Sequence, residues 1–185
     1  GAIMTPIYQT STYVQTKPGE HKGYEYSRTQ NPTRDALQKS IAAMENAKHG
    51  ICFSSGMAAI DAVIKLLKPG DEVISVNDLY GGTYRLITKI FGKYGIKFRF
   101  VDMHDADELH QYISENPKVI WVETPTNPML NVVDIEAISK IAKDKGVLLA
   151  VDNTFCSPYL QNPINLGADI VMHSVTKYIS GHSDV

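Results

Sequence analysis

The sequence predicts a single α/β domain with a mostly parallel β-sheet and helices on both faces, preceded by an extended N-terminal arm. From Gly50 onward, short apolar runs typical of strands alternate with longer stretches whose apolar residues recur at helical spacing. Strands separated by helical stretches of this length are joined by crossover connections, which favour a parallel sheet covered on both sides. Residues 1–35 have no sustained period of either kind, and we interpret them as the arm, with the α/β domain at 36–185.

The elements follow in order along the chain. A helical pattern begins after the arm with Leu37, Ile41, Ala42 and Met44. The predicted strands are ICF (51–53), EVISV (72–76), KFRFV (97–101), KVIWVE (118–123), VLLAV (147–151) and ADIVMH (168–173). The predicted helices between them are MAAIDAVIKLLK (57–68), TYRLITKIFGKYG (83–95), DADELHQYISEN (105–116) and DIEAISKIAKDKG (134–146). The KPGD turn at 68–71 and the glycines at 95 and 146 mark helix ends.

Charge and composition argue against several classes of function. The formal net charge of −2 over 185 residues, with no block of like charges, argues against binding to nucleic acid or to an anionic membrane through bulk charge. The longest apolar runs are too short to span a bilayer. Cys52 and Cys156 show no paired spacing, so we expect a reduced, cytoplasmic setting. The histidines and cysteines also lack metal-ligand spacing, and no metal site is expected. The first residue is Gly1 rather than methionine, so we expect the native N-terminus to lie further upstream.

In open α/β sheets, ligands bind in the crevice beyond the carboxyl ends of the strands. The segments that follow five predicted strands are SSGMAA, NDLYGGT, TPTNP, DNTF and SVTKY. These segments hold nearly all of the unusual residue clusters in the chain. We therefore expect the functional residues at this edge of the sheet.

The SSGM segment at 54–57 has two interpretations. Ser and Gly before a helix make a good cap, and the segment could be no more than that. The same geometry also suits a phosphate, because exposed N–H groups at a helix N-terminus attract anions and Gly56 has no Cβ to obstruct the approach. The absence of a GxGxxG fingerprint and of a Walker motif disfavours a dinucleotide or a nucleoside triphosphate.

Three further side chains have a structural and a chemical interpretation. Asp152 ends an apolar strand; it could cap a turn, or it could pair with a cation such as a protonated ring nitrogen, an arginine or a lysine. Tyr80 could be a packing aromatic or could stack on a flat cofactor. Lys177 could be a solvated charge. A Schiff-base lysine, an aspartate on a pyridinium nitrogen and a phosphate at a helix N-terminus form the pattern of pyridoxal 5'-phosphate (PLP) enzymes.

Six ordered motifs carry a resemblance to a known family. They are YEYSRTQNPTR, SSGMAA, DLYGGTYR, VIWVETPTNP, AVDNTFCSPYLQNP and SVTKYISGHSD, and together they extend over essentially all 185 residues. The chain resembles the Cys/Met-metabolism PLP-dependent enzymes, the trans-sulfuration family. This resemblance implies the fold-type I, PLP-dependent transferase-like large domain and PLP as cofactor.

The resemblance also implies roles for individual residues. Lys177 would form the Schiff base, Asp152 would pair with the ring nitrogen, and Tyr80 would stack on the ring and assist proton transfer. The phosphate would be held by Gly56, Met57, Ser174 and Thr176, with Thr154 near the ring. Tyr26 and Arg28, in the arm, would reach the phosphate of a neighbouring subunit's cofactor. Arg85, Glu123 and Asn127 would lie near the substrate.

The same resemblance implies partners and a reaction. It implies a homotetramer built from dimers with shared sites, an amino-acid substrate, and a C-terminal domain that this segment lacks. The arm and VETPTNPM motifs are most similar to those of cystathionine γ-lyases, so we expect a carbon–sulfur lyase. Cystathionine γ-synthase, cystathionine β-lyase and methionine γ-lyase activities remain open. Other classes are an inactive paralogue acting as an oligomeric scaffold, disfavoured by the retained Lys177 and Asp152, and a Schiff-base aldolase without PLP, which would need neither the aspartate nor the phosphate loop.

Overall fold

The computed structural model describes residues 2–113 and 117–183 and divides into two compact units, residues 1–52 and 53–185. The first unit contains a hairpin of two short antiparallel strands, β1 (Gln15–Lys17) and β2 (Glu20–His21), and the helix α1 (Pro32–Met44). Helix α1 begins before the predicted apolar pattern, because the Asn31 side chain caps it and Pro32 suits its first turn.

The predicted strand ICF at 51–53 is wrong. These residues adopt no strand, and Ile51 and Phe53 are exposed. The Cys52 N–H donates to the Gln38 side-chain oxygen at 3.0 Å instead of to a strand. A three-residue apolar run is too short for periodicity to distinguish a strand from a loop.

The second unit is built on a five-stranded parallel sheet, which confirms the predicted fold class. Its strands are β3 (Glu72–Val76), β4 (Lys97–Val101), β5 (Pro117–Glu123), β6 (Leu148–Asp152) and β7 (Ile170–Met172). Their order across the sheet is β4-β3-β5-β6-β7, and each neighbouring pair is parallel.

The central strands are buried on both faces of this sheet. Every residue of β3 is buried, and four consecutive residues of β5, Val119 to Val122, have no exposed surface. Successive side chains on a strand point to opposite faces, so burial of consecutive residues shows that both faces are covered.

Helices connect the strands. They are α2 (Gly56–Ile64), α3 (Gly81–Arg85), α4 (Leu109–Tyr112), α5 (Ile135–Lys145) and α6 (Ser157–Leu160). Helix α5 matches its prediction closely: Asp134 caps its start, and Gly146 ends it in the left-handed region at φ 65°. Among the described residues, no helix combines the length and hydrophobicity that crossing a bilayer requires.

Three predicted helices differ from the structure. The helix predicted at 57–68 ends at Ile64, and Leu66 beyond its end is 65% exposed. The segment 83–95 is a composite of α3, a π-helical turn (Leu86–Ile90) and a 3₁₀ turn (Phe91–Tyr94). The wider π turn changes the angular spacing of the side chains, and the apolar Ile90 is 45% exposed. The segment 105–116 forms a 3₁₀ turn (Ala106–Glu108) and α4, and its last three residues lie outside the described ranges.

The strand order creates a switch point. From β3 the chain crosses to β4 on one side, and the next strand, β5, lies on the other side of β3. The loops that follow β3 and β5 therefore leave the sheet in opposite directions, and a crevice opens between them at the carboxyl ends.

Candidate active site

A cavity of about 190 Å³ lies at the carboxyl ends of the strands in the second unit. It is lined by the N-terminal turn of α2 and by residues at or beyond the ends of β3, β5, β6 and β7. The lining residues are Ser55, Gly56, Met57, Ile60, Tyr80, Glu123, Asn127, Asp152, Thr154, Phe155, Met172, Ser174, Thr176 and Lys177. Ten of the thirteen predicted site residues are therefore brought together in one place.

The N-terminus of α2 has N–H groups of the kind that suit an anion. The Ser55 side chain accepts the Ala58 N–H at 3.1 Å, which leaves the N–H groups of Gly56 and Met57 without a hydrogen-bond partner in the described part of the chain. A Cβ on Gly56 would lie 2.9 Å from the Ser174 Cβ, so only glycine allows the helix to approach the β7 loop this closely. N–H groups that converge with a serine hydroxyl suit a phosphate.

A chain of hydrogen bonds joins the ends of β6 and β7. Asp152, buried at the end of β6, accepts the Thr154 N–H at 3.1 Å and the Thr154 hydroxyl. The Thr154 oxygen in turn accepts the Ser174 N–H at 2.9 Å. Burial raises the pKa of Asp152, while the bonds from Thr154 and the charge of His173 act to lower it. A cation in the cavity would stabilise this buried carboxylate.

Glu123 is a second buried carboxyl group at the same edge. It ends β5, directly opposite Asp152 in the strand register. Burial and the neighbouring charge of Asp152 raise the pKa of Glu123 from its ordinary 4.5 to about 8, with a smaller contribution from Asp78. Its Oε2 accepts the Tyr80 N–H at 2.8 Å.

Tyr80 lies at the start of α3 with its ring packed on a glycine. A Cβ on Gly82 would lie 2.3 Å from the Tyr80 ring and 2.8 Å from the Met57 sulfur. Tyr80 is 41% exposed, so its ring packs on α3 while part of the residue is available to a ligand in the cavity.

Lys177 lies in a tight turn after β7. The Lys177 N–H donates to the Ser174 carbonyl at 3.2 Å, and its own carbonyl accepts the Gly181 N–H at 2.6 Å. In the same turn, the Tyr178 ring meets Phe155 edge-on at 6.3 Å. The lysine side chain is exposed, and no carboxylate in residues 2–113 and 117–183 lies within ion-pair distance of its ammonium group. An amine that borders a cavity without an ion-pair partner is available for chemistry.

Three predicted residues lie apart from this lining. Arg85 is exposed on α3 and does not line the cavity; one of its terminal nitrogens would be 3.3 Å from a Cβ on Gly81. Tyr26 and Arg28 belong to the first unit, where the Arg28 guanidinium lies 5.0 Å from the centre of the Tyr26 ring.

Four lining residues were not predicted. Ser55 caps α2, and Ile60, Phe155 and Met172 give the cavity an apolar wall. Met172 could have been found, since it ends a strand beside the loop already singled out. Ile60 could not, because its sequence pattern is that of an ordinary core position of a helix.

Comparison with known proteins shows where this chain belongs. A sequence model described as "Cys/Met metabolism PLP-dependent enzyme" matches residues 1–185. The chain belongs to this family. Among its relatives in the family, "Cystathionine gamma-lyase" of Bacillus subtilis is 55% identical over 185 residues, all of this chain and 49% of the relative. "Probable cystathionine gamma-synthase" of Herpetosiphon aurantiacus is 54% identical over the whole chain and 58% of its own length.

A solved structure from the family agrees with the fold. The crystal structure of metB from Corynebacterium glutamicum superposes on this chain with a TM-score of 0.97 at 53% sequence identity. The match covers all of this chain and 49% of the metB chain. The chain thus spans about half the length of the curated relatives it matches.

The family's cofactor, PLP, fits the chemistry of this cavity. The cofactor carries a phosphate, a ring nitrogen that can be protonated, and an aldehyde that reacts with amines. The cavity offers free N–H groups at a helix N-terminus, a buried carboxylate whose pKa is raised by burial, and a lysine amine. Each group of the cofactor therefore has a chemical counterpart.

Proposed function

We propose that the protein is a PLP-dependent carbon–sulfur lyase of sulfur amino-acid metabolism, most specifically a cystathionine γ-lyase. The observation that carries the proposal is the convergence of Lys177, Asp152 and the N-terminus of α2 on one cavity. The finer assignment is supported by the arm and VETPTNPM motifs. Sequence identity does not discriminate, because relatives named for γ-lyase, γ-synthase and, in Lactococcus lactis, cystathionine β-lyase are 54–55% identical to this chain.

In this proposal, the lining residues hold the cofactor and move protons. When bound, PLP supplies an electron sink that makes the Cα proton of an amino acid acidic enough to remove. Lys177 would hold the cofactor through Nζ, and the same Nζ would accept the Cα proton of the substrate. Asp152 keeps a proton on the ring nitrogen, because a buried carboxylate favours a neighbouring positive charge.

The remaining residues orient the reactants. The N–H groups of Gly56 and Met57 and the hydroxyls of Ser174 and Thr176 bind the phosphate, while Thr154 fixes the Asp152 carboxylate. The Tyr80 ring stacks on the cofactor, and its hydroxyl assists proton transfer. The apolar wall formed by Ile60, Phe155 and Met172 excludes water, and electrostatic interactions are stronger where water is excluded.

Residues inside and outside this lining complete the proposal. Arg85, Glu123 and Asn127 contribute to substrate binding. Tyr26 and Arg28 reach the cofactor phosphate of a neighbouring subunit, in a homotetramer built from dimers that works in the cytoplasm. The guanidinium of Arg28 suits this role, because its planar fork gives charge-assisted hydrogen bonds to phosphate oxygens.

Product analysis of the full-length protein tests the proposal. Incubated with cystathionine, the protein should release cysteine and 2-oxobutyrate, identified by mass spectrometry, and the Lys177→Ala variant should release neither. Lys140→Ala, which changes an exposed lysine on α5, serves as control and should retain activity. Homocysteine plus pyruvate would assign a β-lyase instead. Absence of any turnover of sulfur amino acids by a cofactor-loaded protein would favour the inactive scaffold.

A further inference from the structure

Two carboxylates bridge the switch point of the sheet in opposite directions. Glu123, at the end of β5, accepts the Tyr80 N–H of the β3 loop at 2.8 Å. Asp78, in the β3 loop, accepts the Met129 N–H of the β5 loop at 3.0 Å and the Thr126 hydroxyl. Thus a carboxyl group at the end of β5 accepts a hydrogen bond from the β3 loop, and a carboxyl group of the β3 loop accepts hydrogen bonds from the β5 loop. We call these two sets of bonds the reciprocal clasp.

The clasp acts on loops that are already rigid within themselves. In the β5 loop, the Thr126 N–H donates to the Asn131 carbonyl, and the Asn131 N–H donates back to the Thr126 hydroxyl oxygen, both at 2.9 Å. The β3 loop is anchored by the buried side chain of Leu79. The clasp therefore joins two preformed pieces, and what it fixes is their separation.

That separation matters because each loop sends one side chain into the cavity. Tyr80 enters from the β3 loop and Asn127 enters from the β5 loop. Glu123 holds the backbone of Tyr80 itself, and Asp78 holds both residues that flank the Asn127–Pro128 pair, Thr126 and Met129. The hydrogen bonds are thus made at Tyr80 itself and on both sides of Asn127.

We propose that Glu123 and Asp78 are positioning residues, which set the spacing between Tyr80 and Asn127 across the cavity by bonding each loop to the other. The role goes beyond the substrate contact suggested for Glu123 above, and it assigns a function to Asp78, which does not line the cavity. The positioning role depends on the proposed function only in assuming that Tyr80 contacts the cofactor. The order of the Tyr80 ring can be read in protein without cofactor.

Two substitutions at position 123 distinguish a positioning role from a purely structural one. Burying a carboxyl group is costly, and an apolar side chain of similar length removes this cost. Glu123→Met should therefore keep the fold, although it removes the acceptor for the Tyr80 N–H. Glu123→Gln keeps a carbonyl oxygen that accepts this N–H, so it should rescue the position of Tyr80.

The experiment places 3-fluorotyrosine at position 80 of the full-length protein and records its ¹⁹F spectrum with and without PLP. We expect one narrow resonance in the wild type, in Glu123→Gln and in Asp78→Asn. We expect a broadened or split resonance in Glu123→Met and in Asp78→Ala, already without cofactor. In the last two variants the dissociation constant for PLP should rise at least tenfold.

A matched control comes from the other end of β3. Glu72 is also a buried carboxylate, but it pairs with Arg99 at 3.1 Å at the amino end of the strand. Glu72→Ala should lower stability and leave the fluorine resonance narrow. A narrow resonance and unchanged PLP affinity in a folded Glu123→Met protein would overturn the proposal, as would equal broadening in Glu72→Ala. If all ¹⁹F spectra are as expected but the cofactor-loaded protein turns over no sulfur amino acid, only the proposed function is overturned.

Discussion

At the scale of single residues, Glu123 and Asp152 have the most unusual surroundings. They end neighbouring strands, lie opposite each other in the register and are both buried. Each carboxyl group favours the neutral form because burial removes water from it, and the charge of Asp152 also opposes ionisation of Glu123. Ionisation of these carboxyl groups at the edge of the sheet is therefore energetically unfavourable. A cationic cofactor ring would offset this penalty.

This arrangement predicts how stability depends on pH. Between pH 4.5 and about 8, folded protein keeps a proton on Glu123 that the unfolded chain has lost, so the free energy of unfolding falls as pH rises through this window. Glu123→Gln has no such proton. In urea unfolding of cofactor-free protein, the wild type should lose roughly 2 kcal/mol more than Glu123→Gln between pH 6 and pH 8.5. Equal losses in the two proteins would show that the pKa of Glu123 is not raised.

At the scale of elements, α3 shows how a helix aims a side chain. Tyr80 is the N-cap residue of the helix, and its ring lies over Gly82, where a Cβ would collide with the ring. Gly81, one residue earlier, differs: the nearest atom to a Cβ there is the end of the flexible Arg85 side chain at 3.3 Å. The two adjacent glycines thus have unequal constraints.

We therefore predict opposite outcomes for two alanine substitutions. Gly82→Ala should push the Tyr80 ring from its place and raise the dissociation constant for PLP at least tenfold, measured by absorbance titration of cofactor-free protein. Gly81→Ala should change this constant less than twofold, because the arginine side chain can move aside. If both substitutions weaken binding equally, helix α3 rather than the ring contact is responsible.

The elements also show what the sequence could predict. Helix α5 was predicted within a residue or two because Asp134 and Gly146 supply local end signals. The strand at 51–53 was wrong, and the π turn was missed, because neither a short apolar run nor a shift in hydrogen-bond register has a local signature. In the site, Asp152 ends a strand, Lys177 follows one and Gly56 begins a helix, and all three line the cavity as the sequence predicts. Asp78 was missed because its partners, Thr126 and Met129, lie about fifty residues away in sequence.

At the scale of the whole molecule, residues 2–14 expose an unusual amount of apolar surface. Ile3, Met4, Ile7 and Val14 are each at least 78% exposed. Apolar residues exposed together in a segment mark a surface that another molecule covers. This observation supports the proposal that the arm packs on a neighbouring subunit and brings Tyr26 and Arg28 to its site.

Mixed oligomers test this sharing of sites. Lys177→Ala and Arg28→Ala should each be inactive alone, yet mixing them with subunit exchange should restore up to about a quarter of wild-type activity, because half of the random dimers carry one intact site. Lys177→Ala mixed with Asp152→Asn is the control: both residues line the cavity of one chain, so no hybrid has an intact site. Proven exchange without rescue in the first mixture would count against the shared arm.

The strand order described above also bears on how the protein folds during synthesis. Each pairing in the five-stranded sheet is parallel, so each must wait for a crossover connection to be made, and folds dominated by such non-local pairings form slowly. The lysine turn follows β7, which pairs with β6 at the edge of this five-stranded sheet. On a ribosome, the anion site at α2 emerges more than a hundred residues before Lys177. Under the proposed function, a nascent chain can therefore attract the phosphate of PLP early, but it can retain the cofactor covalently only after these strands have paired.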